Sequence, residues 1–392
     1  MIGDVPVIDA VVHGFDWNPL NFGMQPGKLY ESSAAVTFRG LPKYEKYVLD
    51  RGRAETKHTA DEMVSALFAE SQTDIAVYHV VRRLGLMIEG EWSPLDVGVR
   101  FRELAGPERV RIVGGLCDPF DTKRSLDELD ELIEGQGVVG LKLYPFDWDS
   151  RKKEMRELLF TDEDLVFPLI ERVRKHGLKS ISIHKAFGHL VQAFGVGDMD
   201  HALTAFPDMQ FEIVHGGWAF LDDTAILAAR SNVWINLEGT VTLLARAPRK
   251  FAEILGRFLQ RGSGAANAED RVLWGSGLMG LHPQPLLELF WDFEMPRDLV
   301  EGYGYPELTV ELKRKILGEN YARKFGLDLN QMIAGIPDDD LRKQQLSSKL
   351  AEPWIGVPPA AELEIPEGSG DTWGGAGGYD VVAGRDNNQF VG

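Results

Sequence analysis

The chain carries one cysteine, Cys117, in 392 residues. It cannot close an intramolecular disulfide, and it offers no thiolate cluster for zinc or an iron–sulfur centre. Long apolar runs are missing too. Nothing approaches the roughly 18 residues of a membrane span, and the Met-Ile-Gly-Asp start has neither the basic region nor the apolar core of a signal peptide. The expectation is a soluble, cytoplasmic protein with no membrane partner. Positive charge is also short: 42 Lys and Arg face 60 Asp and Glu, a formal charge of −18. This argues against a nucleic-acid partner, because phosphate-backbone binders need a positive face. No G-x-G-x-x-G follows an early strand-like run, so the phosphate turn of a doubly wound nucleotide-binding sheet is lacking.

What is present is an ordinary globular composition, 44% hydrophobic and 26% charged, able to bury a large core. Eight short β-branched runs end in Gly, Pro, His or a neighbouring polar residue: Val5–His13, Asp74–Val80, Val110–Cys117, Val138–Tyr144, Leu178–His184, Gln210–His215, Val233–Glu238 and Arg271–Gly277. Between them lie stretches with helical spacing, among them Asp61–Ala69, Leu126–Glu134, Asp162–His176, Met199–Phe206, Leu221–Ala229 and Lys250–Arg261. Alternating βα units in this number predict an α/β fold of the (β/α)8 TIM-barrel type over residues 1–327. The aromatic-rich segment 14–59 is too long for an ordinary βα loop and reads as a lid-like insertion. Residues 328–392 read as a polar helix near Asp338–Leu350 and an acidic Gly/Pro-rich arm. Its apolar anchors, Trp354, Ile355, Val357, Trp373 and Val381-Val382, suggest packing against another surface, a neighbouring subunit of a homo-oligomer among the candidates.

Barrel enzymes keep their chemistry at the C-terminal strand ends. Here those ends carry His13, His79, Lys142, Tyr144, His184, His215 and Glu238. Period-two alternation places Asp9 on the face of His13, one layer deeper. Four of the nine histidines close predicted strands, where imidazoles can converge on a metal. Asp9, His13, His79, His184, His215 and Glu238 form a mixed N/O set suited to zinc, manganese or non-haem iron, and numerous enough for two ions. Lys142, Tyr78 and Tyr144 stand beside it as candidate catalytic groups. Trp17, Lys185, Trp218, Trp274 and His282 are candidate substrate contacts, with Arg246, Arg249 and Lys250 as further cations. His58 fits better into the capping box Thr59-Ala60-Asp61-Glu62 and is held as a reserve ligand; His176 and His201 read as a helix end and a helix surface, and His189 as a loop residue.

In this order, Asp9-x-x-x-His13, Gly140-Leu141-Lys142-Leu143-Tyr144-Pro145, His184, Val214-His215-Gly216-Gly217, Trp274-Gly275-Ser276 and Leu317-Gly318-Glu319-Asn320-Tyr321-Ala322-Arg323, the chain resembles the amidohydrolase superfamily, in its decarboxylase-like branch. That resemblance implies a metal held by a His-x-His pair on the first strand, histidines on the fifth and sixth, and an aspartate on the eighth that also moves a proton. Two positions depart: Val11 replaces the first histidine and Gly277 the aspartate. The chain is also similar to the amidohydrolase-like non-haem diiron monooxygenases of diterpenoid antibiotic biosynthesis. That likeness implies two iron ions, dioxygen, and a bulky apolar, coenzyme A-linked small-molecule substrate, for which an aromatic mouth is suited. The alternatives are a zinc or manganese hydrolase or decarboxylase with displaced ligands, and a catalytically silent binding barrel.

Overall fold

The computed structural model describes residues 1–15, 37–49, 58–81, 93–185, 191–347 and 349–357. Trp17, His189, the arm residues Trp373, Val381 and Val382, and much of the 14–59 insertion lie outside these residues. All eight expected strands form: β1 (Ile8–Val12), β2 (Ile75–His79), β3 (Val110–Gly115), β4 (Gly140–Leu143), β7 (Ser180–His184), β8 (Gln210–Val214), β9 (Val233–Asn236) and β10 (Val272–Leu273). They make one parallel sheet in chain order. A short antiparallel hairpin, β5 (Phe146–Asp149) with β6 (Glu154–Glu157), interrupts the count and was not expected from the sequence.

Backbone hydrogen bonds close the sheet on itself. Ala10 N donates to Trp274 O at 3.0 Å, Gly277 N to Val11 O at 3.1 Å and Met279 N to His13 O at 3.1 Å, so β1 is zipped to the stretch after β10 and no edge is left open. The fold is a TIM barrel.

Side-chain alternation divides the core in two. Outward residues such as Tyr78, Ile112, Leu141 and Ile181 pack against the helices, including the outer helix Pro248–Leu259, whose Phe251, Ile254, Leu255, Phe258 and Leu259 recur at helical spacing and are buried. Each such side chain contributes about 1.5–3 kcal/mol by leaving water. Inward residues Ile8, Ile75, Val77, Val113, Trp234 and Leu273 meet Tyr321 and Ile336, which close the N-terminal end of the barrel.

The residues after 327 are tied to the barrel by charge. Arg109 forks onto Asp339 at 2.6 and 2.9 Å, and Arg342 meets Asp74 at 2.6 Å. The polar helix spans Asp340–Leu346. Beyond it Trp354 is buried on this chain's own barrel: its ring packs on His282 (4.8 Å between centroids), its indole N–H donates to Tyr47 O at 2.9 Å and its backbone N–H to Glu70 at 2.7 Å. This anchor, expected to reach towards a neighbouring subunit, is consumed within the protomer. Ile355 is 68% exposed.

Candidate active site

The C-terminal strand ends bring His13, His79, Lys142, His184, His215 and Glu238 to one end of the barrel. His215 follows β8 in a left-handed conformation (φ 77°), as do Gly216 and Gly217. The His-Gly-Gly sequence meets this local need. A Cβ on Gly239 would stand 2.9 Å from His215 Nδ1, so that glycine permits the chain to wrap closely around the imidazole, and one on Gly217 would stand 2.7 Å from Phe258, so that glycine lets the turn pack against the outer helix. Thr240 Oγ1 donates to His215 O at 2.7 Å and fixes the turn; nothing in the sequence pattern singles this threonine out.

Ring nitrogens are sorted by their partners. In a neutral imidazole one nitrogen carries the proton and the other a lone pair. His13 Nδ1 lies 3.0 Å from the His79 carbonyl, which only accepts, so Nδ1 is the donor and Nε2 holds the lone pair. His215 Nδ1 lies 2.6 Å from Glu238 Oε2. With its proton on that side, its Nε2 accepts from His184 Nδ1 at 2.9 Å, a proton that a metal between the two rings would displace. A carboxylate or carbonyl behind an imidazole is the outer support that metal-binding histidines use; the 2.9 Å contact between the two rings is a hydrogen bond, shorter than the roughly 3.4 Å between adjacent ligands on a tetrahedral ion with bonds of about 2.1 Å, so an ion would part the rings slightly. Among the described residues no three His, Cys, Asp or Glu side chains converge on one point as they stand. The facing pair His184–His215 has the donor chemistry that fits a metal, with His13 Nε2 as the third imidazole nitrogen free of its support.

Burial sets the electrostatics. The Glu238 carboxyl would be pushed up by burial, but the charge and hydrogen bond of His215, with His13 and Lys142 nearby, hold it at about 2. Burial lowers His13 to about 4 against the pull of Glu238, and takes His79 well below its ordinary value, with Lys142 and His13 adding to the effect. Lys142, 2% exposed, falls to about 8 through burial, opposed by Glu212 and Glu238. Asp9 is raised to about 7 by burial against its bonds to Ser276 and Val11.

Several candidates occupy different places from those expected. The pairing register shifts between Asp9 and Val12, which breaks the alternation that put Asp9 below His13. Asp9 Oδ1 accepts from Ser276 N at 2.9 Å, tying β1 to the closing turn, while Oδ2 is buried without a hydrogen-bond partner. His79 Nδ1 is likewise buried and without one. Tyr78 points outward: its hydroxyl donates to Pro94 O at 2.7 Å and its ring lies against Phe101. Trp274 is buried against Phe290 in the helix layer. Lys185 is spent on Asp198 (2.7 and 2.8 Å) and the Ala193 carbonyl (2.5 Å). His282 caps the helix Pro283–Asp292 and meets Glu70 at 3.1 Å, fully buried. Tyr144 remains at the site, its ring 5.2 Å from that of His184. Trp218 is half-buried in the turn after His215. His58 is buried beside the Thr59 capping box, which forms as expected.

A barrel with imidazoles at these strand ends has relatives. Residues 95–327, more than half of the chain, match the model of the amidohydrolase family. The chain belongs to the amidohydrolase family. Among solved structures, an uncharacterized TIM-barrel protein from Bordetella bronchiseptica is similar with a TM-score of 0.55 and 16% identity, over 82% of this chain and 99% of that one. That likeness shows the shared barrel. Weaker likenesses include 2,6-dihydroxybenzoate decarboxylase from Rhizobium (TM-score 0.49, 13% identity, 82% of this chain and 99% of that one) and 5-carboxyvanillate decarboxylase from Novosphingobium aromaticivorans, solved with bound manganese (0.48, 12%, 83% and 98%). No curated protein matches the chain significantly. Among the described residues no helix is long and apolar enough to cross a membrane.

Proposed function

We propose that this amidohydrolase-family barrel is a metal-dependent hydrolase or decarboxylase of a small molecule, in which Glu238 supplies the carboxylate that residue 277 lacks. One observation carries the reading. A Cβ on Gly277 would stand 2.5 Å from Glu238 Oε1, so the carboxylate reached from the end of β9 fills the space into which a side chain on residue 277 would grow. The negative charge is displaced by one strand and is not lost.

His184, His215 and His13 are the residues to hold the ion, and zinc or manganese suits such an imidazole and carboxylate set. Bound there, the metal acts as a Lewis acid on a carbonyl or carboxyl oxygen. Glu238 keeps the His215 proton on Nδ1 and thereby aims the Nε2 lone pair. His79 does the same for His13 through its backbone carbonyl. Tyr144, against the His184 ring, forms a flat wall beside the pair.

The test is metal analysis of the purified full-length protein together with an oxygen-free assay of zinc- and manganese-loaded samples against aromatic and amide-bearing carboxylic acids. Expected are near-stoichiometric metal, turnover without dioxygen, and a loss of about 10–100-fold in metal affinity or activity in Glu238→Gln. A metal-free protein sinks the proposal. Two iron ions activating dioxygen, the other reading raised by the sequence, gains no support from the family match; it requires dioxygen and a reductant, so turnover confined to aerobic, reduced samples would establish it instead.

A further inference from the structure

Five cations follow strand ends or their loops: Lys142, Lys185, Arg246, Arg249 and Lys250. The fold accounts for four of them. Lys185 is saturated by Asp198 and Ala193 O. Arg246 donates to the Arg39 carbonyl and Arg249 pairs with Asp298 on the surface at 2.8 Å. Lys250 is exposed.

Lys142 is the cation left over. It projects from β4 into the barrel, and its ammonium lies 5.4 Å from the centre of the Tyr144 ring. Among the described residues it has no hydrogen bond and no ion pair. The carboxylates that face it are engaged elsewhere: Glu212 takes Lys324, Asn236 Nδ2 (2.7 Å) and Ser182 Oγ (3.2 Å), and Glu238 takes His215. Burying an ammonium without a direct counter-ion is costly, and proteins keep such groups where a ligand supplies the missing charge. Burial lowers Lys142 only to about 8, so it is still mainly charged at neutral pH.

We infer that Lys142 is the anchor for a carboxylate of the substrate, held beside Tyr144 and within one ring of the His184–His215 pair. The single positive charge suits a monoanion. The flat face of Tyr144 suits a carboxylate carried on a planar, conjugated group. The inference rests on the metal-dependent reading above, since Tyr144 lies between Lys142 and the imidazole that would help hold the metal.

The experiment uses metal-loaded full-length protein and two probes of nearly the same shape, benzoate and neutral benzamide, titrated by calorimetry into wild type, Lys142→Met and Lys142→Arg. Wild type is expected to prefer benzoate by about tenfold or more, the contribution of one charge-assisted hydrogen bond. Lys142→Met should lose about tenfold or more of that preference, leaving only what the metal itself contributes, with its metal content and melting temperature kept, and Lys142→Arg should recover part of the lost preference. Equal binding of the probes by wild type, a benzoate preference undiminished in Lys142→Met, loss of metal from Lys142→Met, or a carbamate adduct on Lys142 in the intact mass each overturns the inference. Wild-type metal content reads the metal-dependent proposal separately: metal-free protein whose benzoate preference still depends on Lys142 defeats that proposal and leaves the anchor in place.

Discussion

Glu238 Oε1 lies 2.5 Å from the point where a Cβ on Gly277 would stand, and Gly277 itself has φ 74°. The two residues exclude one another's larger forms. Gly277→Asp therefore does not restore a familiar site. It is expected to destabilise the protein by about 1–3 kcal/mol through the left-handed backbone alone, with overpacking against Glu238 in addition. Glu238→Ala should relieve the collision, so the double variant is less destabilised than the sum of the two singles by about 1 kcal/mol or more. Urea denaturation of the four proteins measures this, and additive effects would refute the exclusion.

Lys142 and Lys185 are both buried lysines at strand ends, and they should respond oppositely. Lys185 is paired with Asp198, so Asp198→Ala leaves a buried ammonium uncompensated and is expected to cost about 3–5 kcal/mol. Lys142→Met removes an ammonium that makes no direct pair and should be neutral or stabilising. Chemical denaturation curves at pH 7 decide the matter; a loss of several kcal/mol in Lys142→Met would show a structural role.

Acid should weaken the metal-free protein well above the carboxylate range. Burial lowers His58 to about 3 in the folded state, while the unfolded imidazole titrates near 6.5. Between those values the unfolded chain binds the proton and the folded one does not. The full stability is present above about pH 6.5 and is lost as pH falls towards 3, by about 2 kcal/mol at pH 5 from this residue. Comparing urea curves at pH 7 and pH 5 for wild type and His58→Phe tests it: the variant should lose less stability over that step, and equal losses would contradict the assignment.

Trp354 fastens the C-terminal segment to the barrel and to Tyr47 of the insertion. Trp354→Ala removes its packing on His282 and its N–H bond to Tyr47 O, an expected loss of about 3–5 kcal/mol. Limited proteolysis should then cut first near residues 347–357. Unchanged melting and protection would mean that this contact contributes nothing in solution.

Periodicity alone located all eight barrel strands, because β-branched runs of six to nine residues between longer amphipathic stretches have few other uses in a chain of this length. The same reading placed His13, His184 and His215 at strand ends, since a strand's end is marked locally by the residue that breaks it. The hairpin β5–β6 escaped because its strands are only four residues each: Phe146–Asp149 alternates apolar and polar over too short a span to mark a strand, and Glu154–Glu157 carries a single apolar residue, Met155.

Which strand-end residues share a site was decided by tertiary contacts. A register shift of β1 moved Asp9 onto Ser276, and no alternation rule survives such a shift. Tyr78 and Trp274 face the helices, a direction that depends on which side of the closed sheet each strand presents. The two lysines look alike in sequence, yet Asp198 neutralises one and Glu212, the carboxylate facing the other, is taken by Lys324, 112 residues away. The sequence by itself determined the barrel and its ring of strand-end imidazoles, because periodicity and strand-breaking residues are local. Only the tertiary structure decided where Glu238 goes and which cation stays unpaired, because charge neutralisation is settled between residues far apart in the chain.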